Sequence, residues 1–163
     1  HYHQHDVYFN FNDPLQGRLR YREDEFIDDK GIITNVRSRL TLLGPKSENN
    51  FKNDVLLSRS RYLAPAVNSL RFYREYFKPT SEIFVDKDRL RWLVRYKETE
   101  FYINLDTFES PDMGIYLEIK SRTWSFKDAE NKAILTSELI KLLEGSLENT
   151  ITQDYIEVIQ NQG

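Results

Sequence analysis

The stretch Gly17-Arg18-Leu19-Arg20-Tyr21-Arg22-Glu23 alternates arginine with apolar residues at a strict spacing of two. A β-strand sends successive side chains to opposite faces, so this segment has one cationic face and one apolar face. The same pattern recurs further along. Arg37, Arg39 and Thr41 share one parity, with Val36, Leu40 and Leu42 on the other. Lys87, Arg89, Arg91 and Arg95 oppose Leu90, Trp92 and Val94, Asn104 and Asp106 alternate with Ile103 and Leu105, and Glu118, Lys120 and Arg122 with Leu117 and Ile119. Turn chemistry separates these runs: Asn12-Asp13-Pro14 with Gly17, Asp28-Asp29-Lys30-Gly31, Gly44-Pro45, Lys97-Glu98-Thr99-Glu100, and Pro111-Asp112 with Gly114. Such short connections predict antiparallel neighbours.

Helices are fewer. Pro65 is placed as an early helical residue, followed by Val67, Leu70, Phe72 and Phe77 up to the Lys78-Pro79 stop. Asp128 is the expected start of a second helix carrying Ile134, Leu135, Leu139, Leu142 and Leu143, closed by Gly145. Thr152 is the expected cap of a short last helix with Tyr155, Ile156 and Ile159. Residues 46–52 read as a surface loop. The expected class is α+β, mostly antiparallel strands with helices outside.

The chain has 163 residues, 39% of them hydrophobic, which suffices for one domain over residues 1–163 with a real core. Phe and Tyr contribute ten each, so that core is aromatic-rich. There is no cysteine, which excludes a disulfide framework, a zinc-thiolate site and a thiol nucleophile. No run of about 18 apolar residues and no apolar leader is present, so no membrane partner is expected, and a cytoplasmic location is the expectation. The net charge of −3 hides an asymmetry: residues 15–95 carry +6 and residues 96–163 carry −7. Solvated strand faces usually mix Lys, Glu, Thr and Ser, whereas dense Arg points to bidentate phosphate contacts. Charged faces turned inward in a closed barrel would make a cationic tunnel with a few carboxylates, the surround that a triphosphate with bound metal requires.

Other candidates weigh less. His1, His3 and His5 share one strand parity and have the donor type for a transition metal, but an extended entry strand is the plainer account. Asp86 and Asp88 read as solvated acids beside a turn, and Glu23, Asp24 and Glu25 as the acidic lip of a hairpin. Trp92 and Trp124 read as packing residues. The spacings of a serine hydrolase, a zincin and a P-loop are absent. A nucleic-acid partner is not expected, because no recognition helix is present.

Several segments in order resemble the CYTH family of triphosphate tunnel metalloenzymes, nearest to its class IV adenylate cyclase-like branch. His5-Asp6-Val7-Tyr8-Phe9 with Gly17 to Glu23 is similar to a D-x-Y-F strand followed by a G-R-L-(K/R)-x-R strand. Arg39-Leu40-Thr41-Leu42-Leu43-Gly44-Pro45 resembles an L-T-x-K-G-P strand, with Leu43 in place of the lysine. Val85-Asp86-Lys87-Asp88-Arg89 resembles a basic K-x-R strand. Ile103 to Asp106 with Gly114 to Ile119 resembles a v-x-L-D…G-x-F-x-E-x-E hairpin, with Lys120 where the second Glu stands.

The resemblance implies an eight-stranded antiparallel tunnel binding a triphosphate (inorganic triphosphate, ATP or thiamine triphosphate) with Mg²⁺ or Mn²⁺. It implies hydrolysis or adenylate cyclase-like cyclisation, or, as the alternative, a catalytically impaired module that senses nucleotide or polyphosphate, with a further enzyme domain elsewhere in a longer chain. Carried over by position, Arg18, Arg20, Arg22, Arg39, Lys87, Arg89 and Arg91 would hold phosphate, and Glu118 and Asp106 the metal. The family's E-x-E-x-K first strand has no counterpart here and is expected upstream of His1.

Overall fold

The computed structural model describes residues 1–13, 17–44 and 60–162. Seven strands form one antiparallel sheet: β1 (Tyr2–Asn10), β2 (Arg18–Ile27), β3 (Ile33–Leu43), β4 (Ser60–Pro65), β5 (Ser81–Tyr96), β6 (Thr99–Ser110) and β7 (Gly114–Lys120). Their spatial order is β4-β3-β2-β1-β5-β6-β7. The class is therefore α+β as expected, but among the described residues the sheet has seven strands and is not closed into a barrel. No described helix is long and apolar enough to cross a membrane.

Turn chemistry fixes the hairpins. Between β2 and β3, the Asp28 carboxylate accepts from the backbone of Lys30 and Ile32, and Gly31 supplies a φ of +77°. Between β5 and β6, Lys97 and Glu98 both adopt positive φ, 43° and 62°, the twist that lets a two-residue loop join strands without splaying them. Residues 46–52 and Pro14 lie outside the described residues.

Three helices accompany the sheet. The first, α1 (Leu70–Phe77), is capped by Ser69, whose hydroxyl accepts from Phe72 N. It presents Tyr73 to Val7, Phe9, Leu19, Tyr21 and Leu40, the apolar parity of β1, β2 and β3. Pro65 does not begin this helix; it ends β4, opposite Arg39. A proline is tolerated there because an edge strand leaves its missing N–H outside the ladder.

The second, α2 (Phe126–Leu142), begins two residues earlier than Asp128. Ser125 is the cap, and Asp128 reaches back to accept from Trp124 N at 2.9 Å. Gly145 closes the helix by donating to Ile140 O. The third, α3 (Tyr155–Gln162), is capped by Asp154 rather than Thr152. The Asp154 carboxylate accepts from Glu157 N at 3.0 Å, and the Glu157 side chain accepts from Asp154 N at 3.2 Å. That reciprocal pair satisfies two otherwise orphaned donors at once. Helix α3 packs on the opposite face of the sheet from α1, its Ile156 buried with Tyr8, Val85 and Phe108.

Neither tryptophan lies in the core, which leaves the rim as the place for the expected core or rim packing. Trp92 is 48% and Trp124 84% exposed. Trp92 shares its parity with Leu90, on the part of the sheet beyond the α1 cluster.

Gly17 locks the start of β2. A Cβ there would lie 2.1 Å from the Leu43 carbonyl oxygen, and its φ is +75°. Gly31 has a similar φ but nothing within 4 Å of the added carbon. Gly31→Ala should therefore cost about 1–2 kcal/mol for the left-handed backbone alone. Gly17→Ala should cost more, because β3 must also move. Urea denaturation of the two variants checks the order.

Candidate functional site

Register places the alternating cations together. Asp6 lies opposite Arg22 and Tyr8 opposite Arg20 across β1 and β2. Arg22 faces Arg39, and Asp24 faces Arg37, across β2 and β3. Gln4 stands beside Lys87 across β1 and β5, and Arg89 beside Asp106 across β5 and β6. Asn104 faces Glu118 across β6 and β7. One face of the sheet thus carries Arg18, Arg20, Arg22, Arg37, Arg39, Lys87, Arg89, Arg91 and Lys120 with Asp6, Asp24, Asp106 and Glu118. Several are buried outright, Lys87 and Arg89 at 1% exposure and Asp24 and Asp106 at 0%.

Burying charge is tolerable only when partners replace water. Four carboxylates of this face, Asp6, Asp24, Asp106 and Glu118, are already engaged, while Glu100, on the same parity of β6, is exposed. Arg22 grips Asp6 in a bidentate pair, one arm at 2.5 Å. Asp24 accepts from Gln4 (2.5 Å), Arg39 (2.6 Å) and Arg37 (3.0 Å). Asp106 accepts two bonds of 2.5 Å from Arg89, one of 3.1 Å from Lys87, and one of 2.9 Å from the Tyr155 hydroxyl. Glu118 accepts from Asn104 (2.6 Å), Arg89 (2.9 Å) and Lys120 (3.1 Å).

The cations are not equally served. Arg18 is held by Asp154 in a two-armed ion pair, which ties β2 to the start of α3. Arg20 reaches the Thr41 hydroxyl at 3.4 Å and lies 5.9 Å from the centre of the Tyr8 ring. Arg91 donates to Asn104 Oδ1 at 2.7 Å and lies over the rings of Tyr2 and Tyr102. Three guanidinium nitrogens, Arg20 Nε, Arg39 Nε and Arg89 Nη1, are buried without a partner among the described residues.

The electrostatics follow. Burial alone would raise the Asp6 carboxyl, but the charge and hydrogen bonds of Arg22 overcome it and hold the group well below the usual carboxylate range. Asp106 is lowered in the same way, burial yielding to Arg89 and Lys87. Glu118 is lowered as Lys120 and Arg89 outweigh its burial. Lys87 goes against expectation for a lysine touching Asp106. Burial, then the neighbouring Arg89 and Arg22, push its ammonium down to about 7. The cations crowd one another more than the carboxylates relieve them.

Asp6 and Asp24 belong to this buried ionic face, and the sequence reading missed or misplaced them. Asp24 is not a hairpin lip; it is fully buried between β1 and β3, because its parity matches Arg22 and Arg20. Asp86 and Asp88 lie within β5, not beside a turn, and meet the histidines on the opposite face. His5 lies 2.7 Å from Asp86 and His1 2.6 Å from Asp88, while His3 is 3.8 Å from Asp88. These are imidazole–carboxylate pairs.

Asp106 and Glu118, the expected metal ligands, lie close enough to share Arg89, but they do not fit a divalent cation as they stand. Lys87, Arg89 and Lys120 hold the oxygens that would coordinate it. Among the described residues, no three His, Asp or Glu side chains are disposed to hold a metal ion.

No family model and no curated protein matches the chain. Among solved structures, it is similar to the PH1819 protein from Pyrococcus horikoshii OT3, at 14% identity with a TM-score of 0.71. The match covers 99% of this chain and 85% of that one. At this identity the likeness establishes the fold alone.

Lys87 makes the site's charge measurable. In the fold it titrates near 7, against an ordinary value of 10.5. Between those two pH values the unfolded chain binds more protons, so this group makes stability rise with pH across that window. Asp6 acts at the other end: its contribution is present above about pH 4 and is lost on acidification. Denaturation at pH 7, 8 and 9 should show a smaller rise for Lys87→Met than for the unaltered protein. Breaking the buried Asp6–Arg22 pair by Asp6→Ala should cost about 3–5 kcal/mol.

Proposed function

We propose that the cationic face of the sheet binds a triphosphate-bearing small molecule, with inorganic triphosphate, ATP and thiamine triphosphate as the candidates. The carrying observation is the set of buried guanidinium donors on Arg20, Arg39 and Arg89 that have no partner among the described residues, on a face where Asp6, Asp24, Asp106 and Glu118 are all engaged. A buried donor left unmade costs about 1–3 kcal/mol, so a polyanion gains by filling it. Phosphate oxygens suit the guanidinium fork, and a chain of phosphates matches cations spaced along neighbouring strands. Binding would also restore the proton on Lys87, whose suppression comes from burial and from like charge.

Two outcomes of binding are open to such a cradle. One is a Mg²⁺- or Mn²⁺-dependent phosphohydrolase or adenylate cyclase-like enzyme in a tunnel of eight strands. The other is a receptor that holds nucleotide or polyphosphate intact. The neutralisation of Asp106 and Glu118 by Lys87, Arg89 and Lys120 favours the receptor. Arg20 and Arg39 would grip one stretch of the phosphate chain, and Lys87 with Arg89 the next.

Tripolyphosphate, without added metal, should raise the melting temperature. The affinity should fall as salt rises and as pH climbs from 7 to 9 with loss of the Lys87 proton. Arg20→Ala should weaken it about tenfold or more. Absence of any shift would overturn the cradle. Release of phosphate or cyclic nucleotide from the three candidates with Mn²⁺ would replace the receptor by the enzyme.

A further inference from the structure

The two ends of the cationic face are unlike. One end is closed by α3. There Tyr8, Val85 and Phe108 pack with Ile156, the Asp154 carboxylate occupies Arg18, and the Tyr155 hydroxyl binds Asp106. The other end opens along β5. Arg91 stands four residues beyond Lys87 on the same parity, about 13 Å away in an extended strand. At that end the lining changes from buried to half-buried, and its rings face a guanidinium. The Arg91 guanidinium lies 5.3 Å from the ring centre of Tyr2 and 5.4 Å from that of Tyr102. Tyr2 is braced in turn by an edge contact with Phe26 at 4.9 Å.

We infer that Tyr2, Arg91 and Tyr102 are specificity-determining residues, which accept a neutral planar ring attached to the phosphate chain and disfavour a cationic one. The inference rests on the reading of the same face as a polyphosphate cradle. A chain lying along Lys87 and Arg89 has one end against α3, whose Tyr155 ring lies 4.4 Å from the Lys87 ammonium, and so has its substituted end at Arg91. Guanidinium and phenol are planar groups that stack on flat rings. A positively charged ring meets the opposite situation. The π faces that would attract it are turned to Arg91, and Lys120 stands opposite Tyr102 across β6 and β7. A bare triphosphate uses the cradle and leaves the rim unused.

Isothermal titration with tripolyphosphate, ATP and thiamine triphosphate at one ionic strength tests this, using Tyr102→Leu and Tyr102→Phe. Leucine keeps bulk and removes the ring; phenylalanine keeps the stacking face. The unaltered protein should bind ATP at least tenfold more tightly than thiamine triphosphate. Tyr102→Leu should weaken ATP about tenfold while changing tripolyphosphate less than about twofold, and Tyr102→Phe should retain ATP binding. Equal loss of ATP and tripolyphosphate in Tyr102→Leu, no loss of either, or thiamine triphosphate binding as tightly as ATP would each overturn the assignment. Failure of tripolyphosphate to bind the unaltered protein would remove the cradle and the rim together. Binding of tripolyphosphate without this ring selectivity would remove the rim alone.

Discussion

A charge taken out of water must find another charge, and on this sheet the rule is met across strands rather than along them. Asp6 on β1 answers Arg22 on β2, Asp24 on β2 answers Arg37 and Arg39 on β3, and Asp106 on β6 answers Lys87 and Arg89 on β5. Each pair constrains the register of two neighbours, since a slip of one residue would send every side chain of a strand to the other face. A shifted β2 would bury arginine against α1 and leave Asp6 alone in the interior. The apolar parity then needs only to be covered, which α1 does over β1, β2 and β3. The ionic side therefore reinforces the pairing that apolar burial favours.

Among the described residues the pairing is incomplete mainly on the cationic side, where three buried guanidinium nitrogens lack a partner against one buried acceptor, Gln4 Oε1. Asp6, Asp24, Asp106 and Glu118 are fully engaged and the cations are not, so the face is left with surplus positive charge and with buried donors that lack a partner among the described residues. This imbalance, rather than any one arginine, is what supports reading the face as a ligand site instead of a structural salt-bridge network. A network built for stability alone would close its accounts with another acid or with apolar residues of similar volume, which are often no less stable.

Much of this was legible in the alternation. The parity of Arg18, Arg20 and Arg22, repeated at Arg37 and Lys87, predicted antiparallel strands with one ionic face, and these residues do share a face. Segments without alternation were not legible. Ser60–Pro65 carries no periodic signal, and its proline looks as natural at a helix start as at the end of an edge strand. Helix starts were misplaced by two or three residues because Asp128 and Thr152 are plausible caps, while the choice depends on which oxygen reaches an amide. Asp6 escaped because a single acid in a strand looks like a solvated one until the opposite strand is placed, and Asp24 because it sits in the acidic run Glu23-Asp24-Glu25, which looks like a solvated lip. The signal existed, since setting Tyr8 opposite Arg20 automatically sets Asp6 opposite Arg22. The ion pair between Arg18 and Asp154 was beyond reach, because nothing local connects residues 136 apart.

The β5–β6 hairpin has a further consequence, for the order of assembly. Its two-residue turn at Lys97 and Glu98 closes the smallest loop available to two long strands, so the entropy lost in joining them is low. Arg89 and Asp106 are only 17 residues apart, and both belong to this hairpin. Their charges can meet while water is still present and be desolvated as a finished pair when β1 and α3 arrive. A buried ion pair held within one local unit spares the folding chain an intermediate in which either partner stands dehydrated and alone.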